Sequence, residues 1–128
     1  MTTSKNPETI ALHGGDYRSD PATTAVAVPI YQTTSYQFKD AETAANLFGL
    51  KEFGNIYSRL GNPTVGALEA RLTALEDGAM CVALSSGTSA VMYSLINIMS
   101  QGDNFVTANQ LYGGTYTCLL YTSDAADE

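Results

Sequence analysis

Three short stretches of the 128-residue sequence carry residue types suited to holding an anion or a flat, charged ligand. The first is Ser85-Ser86-Gly87-Thr88-Ser89, which separates two apolar stretches. At a strand-to-helix turn, free backbone N–H groups and the helix dipole favour an anion, and glycine lets it approach closely. Hydroxyls at positions 85, 86, 88 and 89 would add donors, which makes the turn a candidate phosphate cradle. Taken alone, it is better described as an ordinary strand-to-helix connection whose serines cap the helix, since α/β proteins contain many such turns. No lysine follows the glycine and no Gly-x-Gly-x-x-Gly is present, so the turn is neither a P-loop nor a dinucleotide fingerprint.

The second stretch is Tyr57-Ser58-Arg59-Leu60-Gly61-Asn62-Pro63-Thr64. In an extended segment, residues two apart point to the same side. A phenol beside a planar guanidinium would suit a phosphate or carboxylate. The plainer alternative is a surface loop in which Arg59 pairs with a nearby acid. The third is Tyr112-Gly113-Gly114-Thr115, a few residues beyond a predicted strand. An aromatic ring at a strand's carboxyl end could stack on a flat ligand, because α/β sites lie along that edge. Equally, Tyr112 could pack over a core while the glycines make a turn. His13 reads as an arm residue, and Cys81, inside an apolar run, as core rather than nucleophile.

The elements that would position these residues follow from capping and periodicity. Residues 1–35 lack steady periodicity and read as an extended arm. Asp40 is a plausible N-cap for a short helix with Glu42 in its first turn; Ala41, Ala44, Ala45 and Phe48 follow at helical spacing, and Gly49 and Gly54 bracket its end. A second helix is signalled by Asn62 as cap, Pro63 at the first position and a Val65, Leu68, Leu72, Leu75 stripe, closed by Asp77-Gly78. Ala79–Leu84 predicts a strand buried on both faces, and the turn at 85–89 leads into an apolar helix ending at Met99. After Gln101-Gly102-Asp103, residues 104–108 predict another strand. Helix, strand, turn, helix, strand is the opening of an α/β parallel sheet.

Composition narrows the class. Hydrophobic residues make up 45% and charged residues 15%, which argues against whole-chain disorder. Six Lys and Arg against thirteen Asp and Glu give a net charge of −7. That balance offers no general attraction to nucleic acid or to an anionic membrane. The polar start lacks an apolar leader region, and the most apolar stretch, Ala90–Met99, is about half the ~20 residues of a membrane span. Two cysteines and one histidine make no metal-ligand spacing, so no metal site is expected. The expected setting is a reducing cytoplasm.

In combination the motifs are more specific. Leu12-His13-Gly14-Gly15, Pro29-Ile30-Tyr31-Gln32-Thr33-Thr34-Ser35-Tyr36, Tyr57-Ser58-Arg59 with Asn62-Pro63-Thr64, Leu75-Glu76, Ser85-Ser86-Gly87 and Leu111-Tyr112-Gly113-Gly114-Thr115 occur in this order. Over residues 8–116 the chain resembles the Cys/Met-metabolism family of pyridoxal-phosphate (PLP) enzymes. The stretch from Ala44 to Arg59 is most similar to the O-acetylhomoserine sulfhydrylase branch. Cystathionine γ-synthase, cystathionine γ-lyase, methionine γ-lyase and a non-catalytic truncated fragment stand as alternatives.

The resemblance implies a type I PLP-transferase fold, α/β, with residues 1–60 as amino-terminal arm and short helix and 61–116 as the start of the large PLP-binding domain. It implies that Gly87 and Thr88, beside Ser86, hold the cofactor phosphate through backbone N–H groups, although many relatives carry Met at position 88. Tyr57 and Arg59 would reach the phosphate of a neighbouring subunit, and Tyr112 would stack on the pyridine ring. The implied protein is a homo-oligomer, a tetramer when whole. Its implied reaction is γ-replacement on O-acetyl-L-homoserine by sulfide or methanethiol. The lysines, Lys5, Lys39 and Lys51, all precede the cradle, whereas the family's Schiff-base lysine lies well downstream. The chain is therefore expected to be an inactive amino-terminal portion. Its last residues, 117–128, depart from the family pattern and are expected to be a non-native tail.

Overall fold

A computed structural model describes residues 5–15 and 20–124, with side-chain surroundings through residue 121. Residues 1–4, Asp16 and the acidic end at 125–128, all used in the sequence reading, lie outside the described residues. Five helices form: α1 (Pro7–His13), α2 (Ala41–Phe48), α3 (Pro63–Leu75), α4 (Gly87–Ile98) and α5 (Gly113–Asp124). They fall into two compact units, Met1–Val82 and Ala83–Glu128.

Four of the helices start where a side-chain oxygen relieves an orphan backbone N–H. Asn6 accepts from Glu8 N at 2.9 Å and Pro7 occupies the first turn of α1. Asp40 accepts from Thr43 N at 2.7 Å and starts α2. Asn62 accepts from Thr64 N at 2.9 Å, with Pro63 opening α3. Ser86 accepts from Ser89 N at 3.1 Å and starts α4. Helices α2, α3 and α4 match expectation. Helix α1 corrects the reading of residues 1–35 as an arm without compact elements. Its Asn6-Pro7-Glu8 start repeats the signature that marked α3, and the weak apolar period concealed it.

The glycines after α2 and α3 close the helices as expected, but they do not carry the left-handed turn. Left-handed backbone appears at Leu50 (φ 55°) and Asp77 (φ 49°), not at the adjacent Gly49 and Gly78. At α3 the Gly78 N–H returns to Thr73 O at 3.0 Å, satisfying a carbonyl of the last turn. Gly15 does adopt φ 75°, where the chain leaves α1 and a Cβ would come within 3.1 Å of Ala70 Cβ on α3. Its missing side chain permits the close packing of α1 on α3.

The strands expected at 79–84 and 104–108 do not form ladders among the described residues. A strand exists only through hydrogen bonds to a neighbour, and parallel neighbours arrive through long crossovers. In these two segments Met80 is 81%, Val82 64% and Val106 101% exposed. Instead, the described strand-type pairing is an antiparallel bridge between Ser35 and Tyr57.

Apolar burial is slight. Leu47 on α2 is a buried hydrophobic side chain, and the loop at Gly54 packs directly on it, since a Cβ there would lie 2.8 Å from its Cδ2. Beside it, Phe38 and Phe48 meet edge to face at 5.9 Å. The α3 stripe forms as expected but stays largely exposed at Val65, Leu68 and Leu72. Helix α4 exposes Val91, Tyr93, Ile96 and Ile98.

Candidate functional site

The start of α4 is built by its cap. Ser86 Oγ accepts from Ser89 N and donates to Ser89 Oγ at 2.9 Å, while the first intrahelical bond runs from Ala90 N to Ser86 O at 3.0 Å. The hydroxyl of Ser86 is thus engaged by the helix itself. The N–H groups of Gly87 and Thr88 are left without an acceptor among the described residues. No atom lies within 4 Å of where a Cβ on Gly87 would sit, and the residue has no positive φ. Internal packing and backbone strain therefore do not explain the glycine. Two open donors on the positive end of a twelve-residue helix, with room above them, can take an anion.

Tyr57 and Arg59 come together, but not by the route the sequence suggested. Tyr57 forms the bridge to Ser35, and the chain then turns, with Leu60 N and Gly61 N both donating to Tyr57 O at 2.8 and 3.0 Å. The turn replaces the extended segment and still brings the Arg59 guanidinium carbon to 5.5 Å from the centre of the Tyr57 ring. Both side chains are exposed, and no ion pair to Arg59 occurs among the described residues. The carboxylate partner considered for Arg59 is thus not found among them. The pair offers a guanidinium fork oriented by an aromatic face.

Tyr112 immediately precedes α5 and is 78% exposed. A Cβ on Gly114 would lie 2.9 Å from Tyr112 Cε1, so the ring rests across the first turn where glycine leaves space. Tyr116 N donates to Tyr112 O at 3.0 Å and anchors that turn. Thr115 is buried. The two glycines read as a turn from the sequence are thus the first residues of helix α5.

The structure brings Ser86, Gly87 and Thr88 onto one helical turn in the second unit, with Tyr112 at the head of α5 in the same unit. Tyr57 and Arg59 lie in the first unit. His13 ends α1 and Cys81 is half-buried with a free thiol. A cavity of about 980 Å³ in the first unit, bounded by Ile10, Ala70, Ala74, Met80 and Cys81, includes none of the residues expected to meet the cofactor.

Sequence reasoning overlooked the residues that hold the Tyr57–Arg59 turn. Asn62 Nδ2 donates to Tyr31 O at 2.9 Å and to Ser58 Oγ at 3.0 Å. Ser58 Oγ in turn donates to Thr33 O, and Ser58 N to Thr34 O at 2.8 Å. Thr64 Oγ1 accepts from Tyr31 N at 2.9 Å and donates to Pro29 O at 3.0 Å. Asn62-Pro63-Thr64 was visible as a helix start; its second role depends on contacts with residues some thirty positions earlier. At the far end of the arm, Asp20 is buried and accepts from Thr23 Oγ1 at 2.6 Å, Thr23 N at 2.7 Å and Tyr31 OH at 3.3 Å. The Thr23 hydroxyl first, then its N–H, holds the Asp20 carboxyl below the usual aspartate range.

A sequence profile described as Cys/Met metabolism PLP-dependent enzyme matches residues 8–126 and so continues beyond Tyr116. The O-acetyl-L-homoserine sulfhydrylase of Leptospira meyeri is 57% identical over 122 residues, covering 95% of this chain and 27% of its own length. The homocysteine synthase of Schizosaccharomyces pombe is 50% identical over 119 residues, 93% of this chain and 28% of that protein. A Campylobacter jejuni crystal structure assigned as an O-acetylhomoserine (thiol)-lyase, with N'-pyridoxyl-lysine-5'-monophosphate, superposes with a TM-score of 0.86. It is 46% identical and covers 95% of this chain and 30% of that one. Cystathionine γ-lyase from Lactobacillus plantarum superposes at 0.76 with 31% identity, covering 94% of this chain and 29% of that one. The likeness to these two structures assigns the chain to the type I α/β PLP-enzyme fold. The chain spans about a quarter of the length of the curated relatives it matches.

Proposed function

The chain belongs to the Cys/Met metabolism family of PLP-dependent enzymes, and on that premise we propose that it supplies the phosphate-binding part of an O-acetylhomoserine sulfhydrylase. The observation that carries the proposal is the start of α4. Ser86 satisfies Ser89, and the N–H groups of Gly87 and Thr88 remain open beneath space that a side chain at 87 would fill. These residues fit the cofactor phosphate, which takes hydrogen bonds readily from helix-start amides. Tyr57 and Arg59 add a phenol and a guanidinium to a phosphate in a neighbouring subunit, and Tyr112 stacks on the pyridine ring.

When bound, PLP supplies an electron sink that lets protons leave Cα and Cβ of an amino acid and a γ substituent depart. The chain's own residues anchor and orient; none of its lysines follows the α4 turn. The whole reaction exchanges acetate on O-acetyl-L-homoserine for sulfide, giving homocysteine, or for methanethiol, giving methionine. The arm and large-domain start fall at 1–60 and 61–116, the whole protein is a homo-oligomer, a tetramer, and it works in the cytoplasm. No helix among the described residues is long and apolar enough to cross a membrane.

The test is an assay of the whole protein with PLP, O-acetyl-L-homoserine and sulfide. Stoichiometric homocysteine and acetate are expected, with the 128-residue chain alone inactive. Preferential cleavage of cystathionine or methionine would reassign the activity to a lyase, and turnover without PLP would remove the cofactor reading.

A further inference from the structure

We infer that Asn62 is a positioning residue for the Tyr57–Arg59 pair, acting with Thr64 to fasten the arm at 29–34 to the turn that presents both side chains. The inference rests on the proposed role of Tyr57 and Arg59 at the cofactor phosphate.

The turn at 58–60 is short, and the Tyr57 and Arg59 side chains flanking Ser58 are exposed, with the guanidinium over the ring. Their placement depends on Ser58 between them. Ser58 is tied through its N–H to Thr34 O and through its hydroxyl to Thr33 O. Since that hydroxyl gives its proton to Thr33, it meets Asn62 as an acceptor, and only a donor at position 62 completes the chain. Asn62 spends its other amide proton on Tyr31 O, so one planar group joins the arm, the turn and α3. Its Oδ1 caps α3 through Thr64 N. Thr64 supplies a parallel tie, because its hydroxyl bonds both Tyr31 N and Pro29 O. Capping needs only an oxygen at position 62, whereas fastening the arm needs the amide nitrogen.

That division makes the two roles separable. Asn62→Asp keeps a good N-cap while turning both donors into acceptors that face the Tyr31 carbonyl and the Ser58 hydroxyl. In the whole protein, PLP affinity is measured by equilibrium titration beside thermal unfolding, for Asn62→Asp, Arg59→Ala and the double variant. The expected result is a protein that still unfolds cooperatively, with affinity lowered about tenfold by Asn62→Asp and no further loss when it is added to Arg59→Ala. Thr64→Val should weaken PLP in the same way and Thr64→Ser should restore it, a pattern that holds the test open if Asn62→Asp folds poorly. Wild-type affinity in both Asn62→Asp and Thr64→Val overturns the inference alone, as does an equal loss with and without Arg59. Unchanged affinity in Arg59→Ala overturns both the inference and the phosphate role it rests on.

Discussion

The guanidinium carbon of Arg59 lies 5.5 Å from the centre of the Tyr57 ring, and the exposed pair is held by a turn rather than by an ion pair among the described residues. A cation over an aromatic face is held by the ring quadrupole without using up its hydrogen-bond donors.

Replacing Arg59 by Lys keeps the charge and removes the planar fork. Loss of a charge-assisted hydrogen bond costs ~1.5–3 kcal/mol, so PLP affinity of the whole protein should fall about 10- to 100-fold. Affinity for pyridoxal, which lacks the phosphate, should not change. Equal loss for both ligands would place Arg59 elsewhere than at the phosphate.

Ser86→Asp separates helix stability from anion binding at α4. Aspartate caps as well as serine and complements the helix dipole, so the melting temperature should hold or rise. Its carboxylate also faces the ground an anion would occupy, beside Gly87 and Thr88. PLP titration should therefore show weaker binding by a protein no less stable. Tighter or equal binding would contradict a phosphate at this turn.

The buried Asp20 gives the loop at 20–25 an acid-sensitive tie. Its folded carboxyl is held below the usual aspartate range, chiefly by the Thr23 hydroxyl, then by Thr23 N and Tyr31. A depressed folded value contributes stability that is full above the unfolded value of about 3.9 and is lost as pH falls through the folded one. Asp40, lowered by the Thr43 N–H at the α2 cap, acts in the same direction. Hydrogen exchange at Thr23 and Thr24 should be steady from neutrality down to about pH 5 and accelerate below about pH 4, beyond the intrinsic pH trend. Asp20→Asn should remove most of that acid response; an unchanged profile would show that the tie is not ionic.

The 128-residue chain on its own should associate. Val65, Leu68 and Leu72 of α3 and Val91, Tyr93, Ile96 and Ile98 of α4 stand exposed and offer apolar surface for it. Sedimentation velocity should show concentration-dependent species larger than a monomer. A monomer with a sharp, concentration-independent thermal transition would contradict it.

How far these features were legible in the sequence depended on how local their causes are. Asp40, Asn62 and Ser86 announce helices because a cap is decided within three residues. Asn6 announces one too, but a seven-residue helix has too little apolar period to stand out from an arm. The strands at 79–84 and 104–108 were readable as extended, apolar segments, and whether they become ladders depends on neighbours that no local pattern contains. Leu50 and Asp77 took the left-handed positions expected of glycine because capping bonds outweighed a small backbone cost. The residues proposed to meet the cofactor, Gly87 and Thr88 in one unit and Tyr57 and Arg59 in the other, were picked out by type and order. The ties from Tyr31 to Asn62 and Thr64 were not, since they join segments more than thirty residues apart.

The central claim is that the Gly87 N–H binds the cofactor phosphate, and Gly87→Pro tests it most directly. Proline at the first helical position removes that donor while favouring the helix, and Ser86 already has the extended backbone (φ −155°, ψ 155°) that precedes proline comfortably. Equilibrium titration of the whole protein with PLP and with pyridoxal should show PLP affinity reduced at least about tenfold and pyridoxal affinity unchanged. Undiminished PLP affinity in a folded Gly87→Pro protein would contradict the account.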